Sequence, residues 1–291
     1  MNKTTVIYKS TTQFELKGDF YTASQENRPV IVYIHGGGLF WGSREDLKKE
    51  QIDFYHQAGF NIFSIDYRLA PETKLAEIQQ DVADALSWLE NEGIEKFNYD
   101  PNKIALIGGS AGGYLALLAG TFKNKPKAIV SLYGYGDITG DWATKPSPHY
   151  QKMTPVPKEL AQMLVSNTVI SEGPIQKRYA IYMYARQKGT WIEDISGALV
   201  IPGGSLDELK PYCPLYYSDS DFPPTLLLHG TMDEDVPYEQ SVLMSKKLSN
   251  SGGSCKLITI PDGKHVFDED WDNPVVQKAF EEIISFLNSH L

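Results

Sequence analysis

Two hydrophobic rhythms alternate along this chain. Val30-Ile31-Val32-Tyr33-Ile34 is a continuous β-branched and aromatic run, the pattern of a strand buried on both faces. Asn61 to Asp66, Lys103 to Ile107, Ala128 to Tyr133, Thr225 to Leu228 and Cys255 to Ile260 repeat it. Between these runs the spacing becomes helical: Leu75, Ile78, Val82, Ala85, Leu86 and Leu89 recur at three- and four-residue steps within Leu75 to Glu90. Ala111 to Ala119, Glu239 to Ser249 and Val275 to Leu287 are further helical stretches. Two short β-like runs, Val6 to Lys9 and Gln13 to Phe20, precede the first buried strand and could pair as a meander. Strands alternating with helices imply βαβ units, so the pattern predicts an α/β architecture with a mainly parallel central sheet covered on both faces.

The alternation fails between Tyr133 and Thr225. This interval is rich in Pro, Tyr and Trp, holds helical stretches at Lys158 to Asn167 and Ile175 to Lys188, and is too long for a simple connection. The expected organisation is a core of residues 1–136 and 222–291, with residues 137–221 inserted as a helical cap beside a ligand site. The alternative is an extra helical layer with no part in binding.

At 291 residues the chain can bury the core of one large domain, and 42% hydrophobic with 22% charged residues is ordinary for a globular protein. The formal charge of -10 argues against a nucleic-acid partner, because phosphate contacts need clustered Lys and Arg. No apolar run reaches the length of a membrane span, and Met1 to Phe20 lacks the apolar core of a secretory signal. Cys213 and Cys255 lie apart, with no CxxC or metal-ligand spacing. A cytoplasmic protein is expected, with a homodimer left open.

The chemistry starts at Gly108-Gly109-Ser110-Ala111-Gly112, a Gly-x-Ser-x-Gly sequence between a predicted strand and a predicted helix. Glycines there permit a tight turn that exposes the Ser110 hydroxyl above the sheet. A serine hydroxyl is a weak nucleophile near neutral pH, so it needs a base, and the base needs a group that fixes its tautomer. The strand Thr225 to Leu228 opens into a loop holding Asp233 and Asp235; Asp233 is the expected acid and Asp235 the reserve. The strand ending at Ile260 opens into a loop holding His265, the expected base. His56, His149 and His290 lie elsewhere, while His35 and His229 end strands beside glycines, where a histidine often stabilises loops.

Donors for the oxyanion of a tetrahedral intermediate are also required, each typically worth about 3 kcal/mol. His35-Gly36-Gly37-Gly38 follows a buried strand, so the N–H groups of Gly37 and Gly38 are expected to serve, with that of Ala111 completing the hole. Phe40 and Trp41, next in the chain, are expected to line a substrate pocket with Tyr182 and Trp191 of the insertion.

Taken in order, His35-Gly36-Gly37-Gly38, Asp66-Tyr67-Arg68-Leu69-Ala70-Pro71-Glu72, Gly108 to Gly113, the Asp233 loop and the His265 loop resemble the hormone-sensitive-lipase group of α/β-hydrolases, the bacterial carboxylesterases and acetyl esterases. The resemblance spans Ile31 to Phe267. It implies hydrolysis of small acyl esters through a Ser-His-Asp triad, without metal or organic cofactor. The chain departs from it after Glu72, where Thr73 to Ile78 replace a His-Pro-Phe-Pro run. The acid loop also resembles that of feruloyl-esterase-like relatives. An amidase, formamidase or peptidase using the same triad, and an inactive ligand-binding protein on a hydrolase scaffold, are the competing readings. Asp66 and Arg68 are expected to form a buried structural ion pair with each other.

Overall fold

The computed structural model describes residues 2–197 and 205–291, and the expected 137–221 insertion therefore falls partly outside the described residues. Eight strands form one sheet: β1 (Asn2–Ser10), β2 (Glu15–Thr22), β3 (Val30–Ile34), β4 (Asn61–Ile65), β5 (Ile104–Gly109), β6 (Ala128–Leu132), β7 (Thr225–Gly230) and β8 (Cys255–Ile260). Their spatial order is β1-β2-β4-β3-β5-β6-β7-β8. The β1/β2 and β2/β4 pairs are antiparallel, while every pair from β4/β3 to β7/β8 is parallel. This is the mainly parallel sheet that the sequence pattern predicts, with the N-terminal meander on its edge. Parallel strands need crossover connections, and helices supply them on both faces.

The alternation of side chains along each strand divides the core in two. Val30, Val32 and Ile34 of β3 and Ile104 and Leu106 of β5 point to the face covered by α2 (Leu75–Trp88) and α4 (Ala111–Ala119). Ile31, Ala105 and Ile107 point to the other face, where α1 (Lys49–Gln57) and α12 (Pro274–His290) pack through Ile52, Tyr55, Phe280 and Ile283. All nine residues of α4 are buried, as expected of a helix that is apolar all round. Each fully buried leucine of α4 contributes about 2 kcal/mol through area removed from water. A π-helical turn at Leu89–Gly93 joins α2 to the short α3 (Ile94–Phe97), and α11 (Glu239–Asn250) connects β7 to β8.

Between β6 and β7 the chain leaves the sheet and forms α5 (Asp141–Thr144), α6 (Pro148–Gln151), α7 (Lys158–Met163), α8 (Ile175–Lys188), α9 (Trp191–Ser196) and α10 (Pro214–Tyr217). The expected helix from Lys158 stops at Met163 rather than Asn167. The segment after α7 is tied to the core by charge and backbone contacts. Arg178 of α8 makes a bidentate ion pair with Glu72 at 2.6 and 3.0 Å and also donates to the carbonyls of Phe40 and Ala70. Gly42 and Gly173 exchange backbone hydrogen bonds of 2.8 and 3.1 Å.

The expected Asp66–Arg68 pair does not form. Asp66 binds Arg44 instead, at 2.6 Å from Nη1 and 2.7 Å from its backbone N–H, while Arg68 binds Asp81 of α2 at 2.8 Å. Successive side chains of an extended segment diverge to opposite faces, so residues two apart reach different layers only when the strand turns, as it does past Ile65. Among the described residues no helix is long and apolar enough to cross a membrane.

Both members of the Arg178–Glu72 pair are about 95% buried. Removing the guanidinium would leave a desolvated carboxylate and unsatisfied carbonyls. Arg178→Ala is expected to lower the unfolding free energy by about 3–5 kcal/mol, measured by urea denaturation.

Candidate active site

Strands β3, β5, β7 and β8 run parallel, so the loops that follow them emerge on one edge of the sheet. Those loops carry the glycine run 36–38, Ser110, Asp233 and His265. Ser110 sits between β5 and α4 with φ 54° and ψ -120°, a strained conformation that lifts its side chain off the strand direction. The turn closes because no Cβ intervenes at Gly112, where one would lie 2.0 Å from the Ile34 carbonyl oxygen. The Ser110 N–H donates to the Leu132 carbonyl at 2.9 Å, which fixes the turn against β6.

Three side chains from three loops meet there. His265 Nε2 lies 3.0 Å from Ser110 Oγ, and His265 Nδ1 lies 2.7 Å from Asp233 Oδ2. The Asp233 side chain is fully buried. Burial alone would raise its pKa, but hydrogen bonds from His229 and His265 outweigh that and hold its carboxyl well below the usual range. Its Oδ1 accepts the backbone N–H groups of Asp235 and Val236, both at 2.9 Å. His265 is pulled two ways: burial lowers its pKa, while the hydrogen bond to Asp233 and the charges of Asp235, Asp233 and Asp268 raise it above the ordinary histidine value. The reserve acid, Asp235, is on the far side of the ring, with Oδ2 3.8 Å from Nε2.

Beside Ser110, Gly37 and Gly38 have φ of +95° and +59°, which glycine adopts without strain. A Cβ on Gly38 would meet the Tyr182 ring at 2.5 Å. Among the described residues no acceptor takes the N–H of Gly37, Gly38 or Ala111. Tyr67 stacks on His35 at 4.2 Å and donates to the carbonyls of His35 and Gly36, steadying the glycine run from behind.

These groups open into a cleft of about 750 Å³ lined by Gly36, Gly37, Gly38, Trp41, Ser110, Tyr133, Tyr150, Tyr179, Asp235 and His265, among others. Of the four aromatic residues expected to line a pocket, the structure brings Trp41 to the cleft. Phe40 and Trp191 are at most 1% exposed and lie within the core, and Trp191 donates Nε1–H to the Gly38 carbonyl at 3.1 Å. Tyr182 packs under the glycine run and donates to Asp235 Oδ1 at 2.9 Å. These rings support the loop instead of facing solvent, since each finds a main-chain or side-chain partner there.

A family model described as BD-FAE matches residues 19–248, most of the chain. The chain belongs to the BD-FAE family. Its fold is that of the α/β-hydrolases. An α/β-hydrolase superfamily protein from Enterococcus faecalis is 24% identical with a TM-score of 0.76, each chain covered to 99%. Esterase 2 of Thermogutta terrifontis, in a structure with propionate bound, is 21% identical with a TM-score of 0.67, covering 99% of this BD-FAE chain and 94% of its own. Among curated relatives, the non-reducing polyketide synthase ausA of Penicillium brasilianum is 28% identical across the whole chain, which spans 14% of that relative's length.

Three residues of this BD-FAE site carry no motif in the sequence. His229 Nδ1 lies 2.8 Å from Ser241 Oγ, and its Nε2 lies 3.0 Å from the Val236 carbonyl and 3.2 Å from Asp233, bracing the loop that holds the acid. Tyr133 packs edge-on to the His265 ring at 4.9 Å and donates to Asp268 at 2.6 Å. Arg186 lies behind Asp235 and donates to its carbonyl at 3.1 Å. A signal for the last exists: Arg178, Tyr182 and Arg186 are spaced four apart in α8, so polar heads line one buried helix face.

The carboxylates around His265 favour its imidazolium form. A titration of His265 followed by NMR is expected to give a midpoint above 6.5, and Asp233→Asn, which removes the strongest favourable contact, is expected to move it down.

Proposed function

We propose that this protein is a serine carboxylesterase for small acyl esters, with Ser110 as nucleophile, His265 as base and Asp233 as the acid that orients it. The observation that carries the reading is the unbroken hydrogen-bond chain from Asp233 through His265 to Ser110, beside three main-chain N–H groups that have no acceptor among the described residues. In this mechanism His265 Nε2 takes the Ser110 proton as Oγ attacks the ester carbonyl. The carbonyl oxygen gains negative charge against the N–H groups of Gly37, Gly38 and Ala111. Collapse expels the alcohol, which receives the proton from Nε2 and leaves an acyl-Ser110 ester. Water then gives a proton to the same nitrogen and attacks the acyl carbon; collapse breaks the bond to Oγ, which takes that proton back, and releases the acid. Asp233 stays ionised throughout; its low pKa suits that role.

Residues 137–221 act as a cap in this reading, because α8 backs the glycine run through Tyr182 and the Gly173–Tyr179 stretch lines the cleft. Trp41, Tyr150 and Tyr179 line the cleft beside Ser110, and a small ester fits against them. Propionate, bound in the Thermogutta terrifontis esterase, is an acid of that size.

The test is a panel of p-nitrophenyl esters set against acyl anilides and N-formylkynurenine, with purified wild type and Ser110→Ala. Short-chain esters are expected to be the best substrates, with kcat/KM falling sharply beyond about eight carbons. Ser110→Ala is expected to lose at least about 10³-fold in kcat and to abolish labelling by a fluorophosphonate probe. Faster turnover of the amides would move the assignment to the amidase class, and labelling independent of Ser110 would overturn the mechanism.

A further inference from the structure

We infer that the cleft selects esters whose alcohol portion carries a positive charge, and that Asp235 is the group that recognises it. This rests on the esterase reading above and names the substrate class of the same site.

The position of Asp235 sets which half of the ester it meets. Its Oδ2 lies 3.8 Å from His265 Nε2, itself 3.0 Å from Ser110 Oγ. Nε2 returns the proton to the departing alkoxide, so the leaving oxygen must come within about 3 Å of it. The carboxylate and the leaving oxygen therefore share one neighbour, and Asp235 stands on the alcohol side. A positive group a short spacer away from the ester oxygen reaches it.

The rest of the residue is already held. Oδ1 accepts Tyr182 Oη at 2.9 Å, the backbone N–H donates to Asp233 Oδ1, and the backbone carbonyl accepts from Arg186. Oδ2 lies on the cleft side beside His265 Nε2, with the Tyr150 hydroxyl close to the carboxylate, and the side chain is 13% exposed. A nearly desolvated carboxylate with one oxygen open to a cleft gains most from a cation. Arg186 offsets part of this charge from behind and leaves the cleft side of the carboxylate to a ligand. It stands 3.7 Å from Oδ1 on the inner side, 2% exposed, enclosed by the faces of Trp142, Tyr150, Tyr182 and Trp191.

Two further features of the wall point the same way. Trp41, Tyr150 and Tyr179 share the cleft with Asp235, and tryptophan and tyrosine rings attract onium groups. Glu45, Asp46, Glu172, Asp268 and Glu269 also line it; Arg44 pairs with Glu172 and Glu45, and Lys48 lies 3.9 Å from Glu269, so among the described residues the lining still carries more acidic than basic groups. In a chain of formal charge -10 such a cleft draws cations in and turns anions away.

Asp235 could otherwise serve only to raise the pKa of His265, and the two roles separate experimentally. Tuning the base affects every ester alike, whereas recognition changes the ratio between charged and neutral esters. The probes are 2-(trimethylammonio)ethyl acetate and its carbon isostere, 3,3-dimethylbutyl acetate, each rate divided by the hydroxide-catalysed rate. Wild type is expected to favour the cationic ester in kcat/KM by about tenfold or more at low ionic strength, with the preference shrinking as salt is added. Asp235→Asn is expected to cut that ratio at least about fivefold. Tetramethylammonium is expected to inhibit hydrolysis of the neutral isostere competitively. A wild-type ratio near one, or a ratio unchanged in Asp235→Asn, overturns the inference. If that variant does not fold, the wild-type ratio, its salt dependence and the tetramethylammonium inhibition decide. Turnover of both isosteres at equal corrected rates sinks this inference alone, whereas no turnover of any ester, p-nitrophenyl acetate included, sinks the esterase reading with it.

Discussion

The buried carboxylate of Asp233 is the contact on which the site is assembled. Two main-chain N–H groups of its own loop, the Nδ1 of His265 and, at 3.2 Å, the Nε2 of His229 surround it. A carboxylate taken out of water without such partners is prohibitively costly, and here the partners come from β7, from the turn after it and from the loop after β8. The same contacts that make the charge tolerable also bind two loops together and turn the imidazole so that Nε2 faces Ser110. Placement of the base and neutralisation of the acid are one structural event.

The other half of the geometry is main-chain. Ser110 occupies a region of conformational space that a serine avoids, and it is kept there by close contact of Gly112 with β3 and by the hydrogen bond to Leu132. Rigid parallel strands on both sides leave that turn nowhere to relax. The glycine run after β3 is held by the ring of Tyr67 on one side and those of Tyr182 and Trp191 on the other. Side chains that never touch a substrate thus set where the N–H groups point.

The central sheet was legible because strands buried on both faces read as unbroken apolar runs, and the loops at their ends announce themselves through glycines. Ser110, Asp233 and His265 could be picked out by their place after β5, β7 and β8, and the structure brings the three within hydrogen-bonding reach. Partner choice among buried charges was not legible. Asp66 and Arg68 sit two apart in the chain yet bind Arg44 and Asp81, because pairing depends on which layer each side chain enters. Nor did aromatic composition distinguish rings that face the cleft, such as Trp41 and Tyr150, from rings that prop its floor, such as Phe40 and Trp191. Both kinds are large and apolar, and only the folded contacts separate them. In α8 the buried face carries Arg178 and Arg186, so its polar sequence hides a helix that is well packed.

The joints between the sheet and the segment that follows β6 set the shape of the cleft beside Ser110. Arg178 grips Glu72 and two carbonyls of the core, Arg44 reaches Glu172, and Gly42 and Gly173 form a small bridge at the rim. Prising this side of the cleft apart would expose these groups together, and breaking the buried Arg178–Glu72 pair among them costs several kcal/mol. The width of this side of the cleft is therefore fixed by the same contacts that fasten the helical segment to the sheet, as the notch of a gauge is cut with the gauge itself.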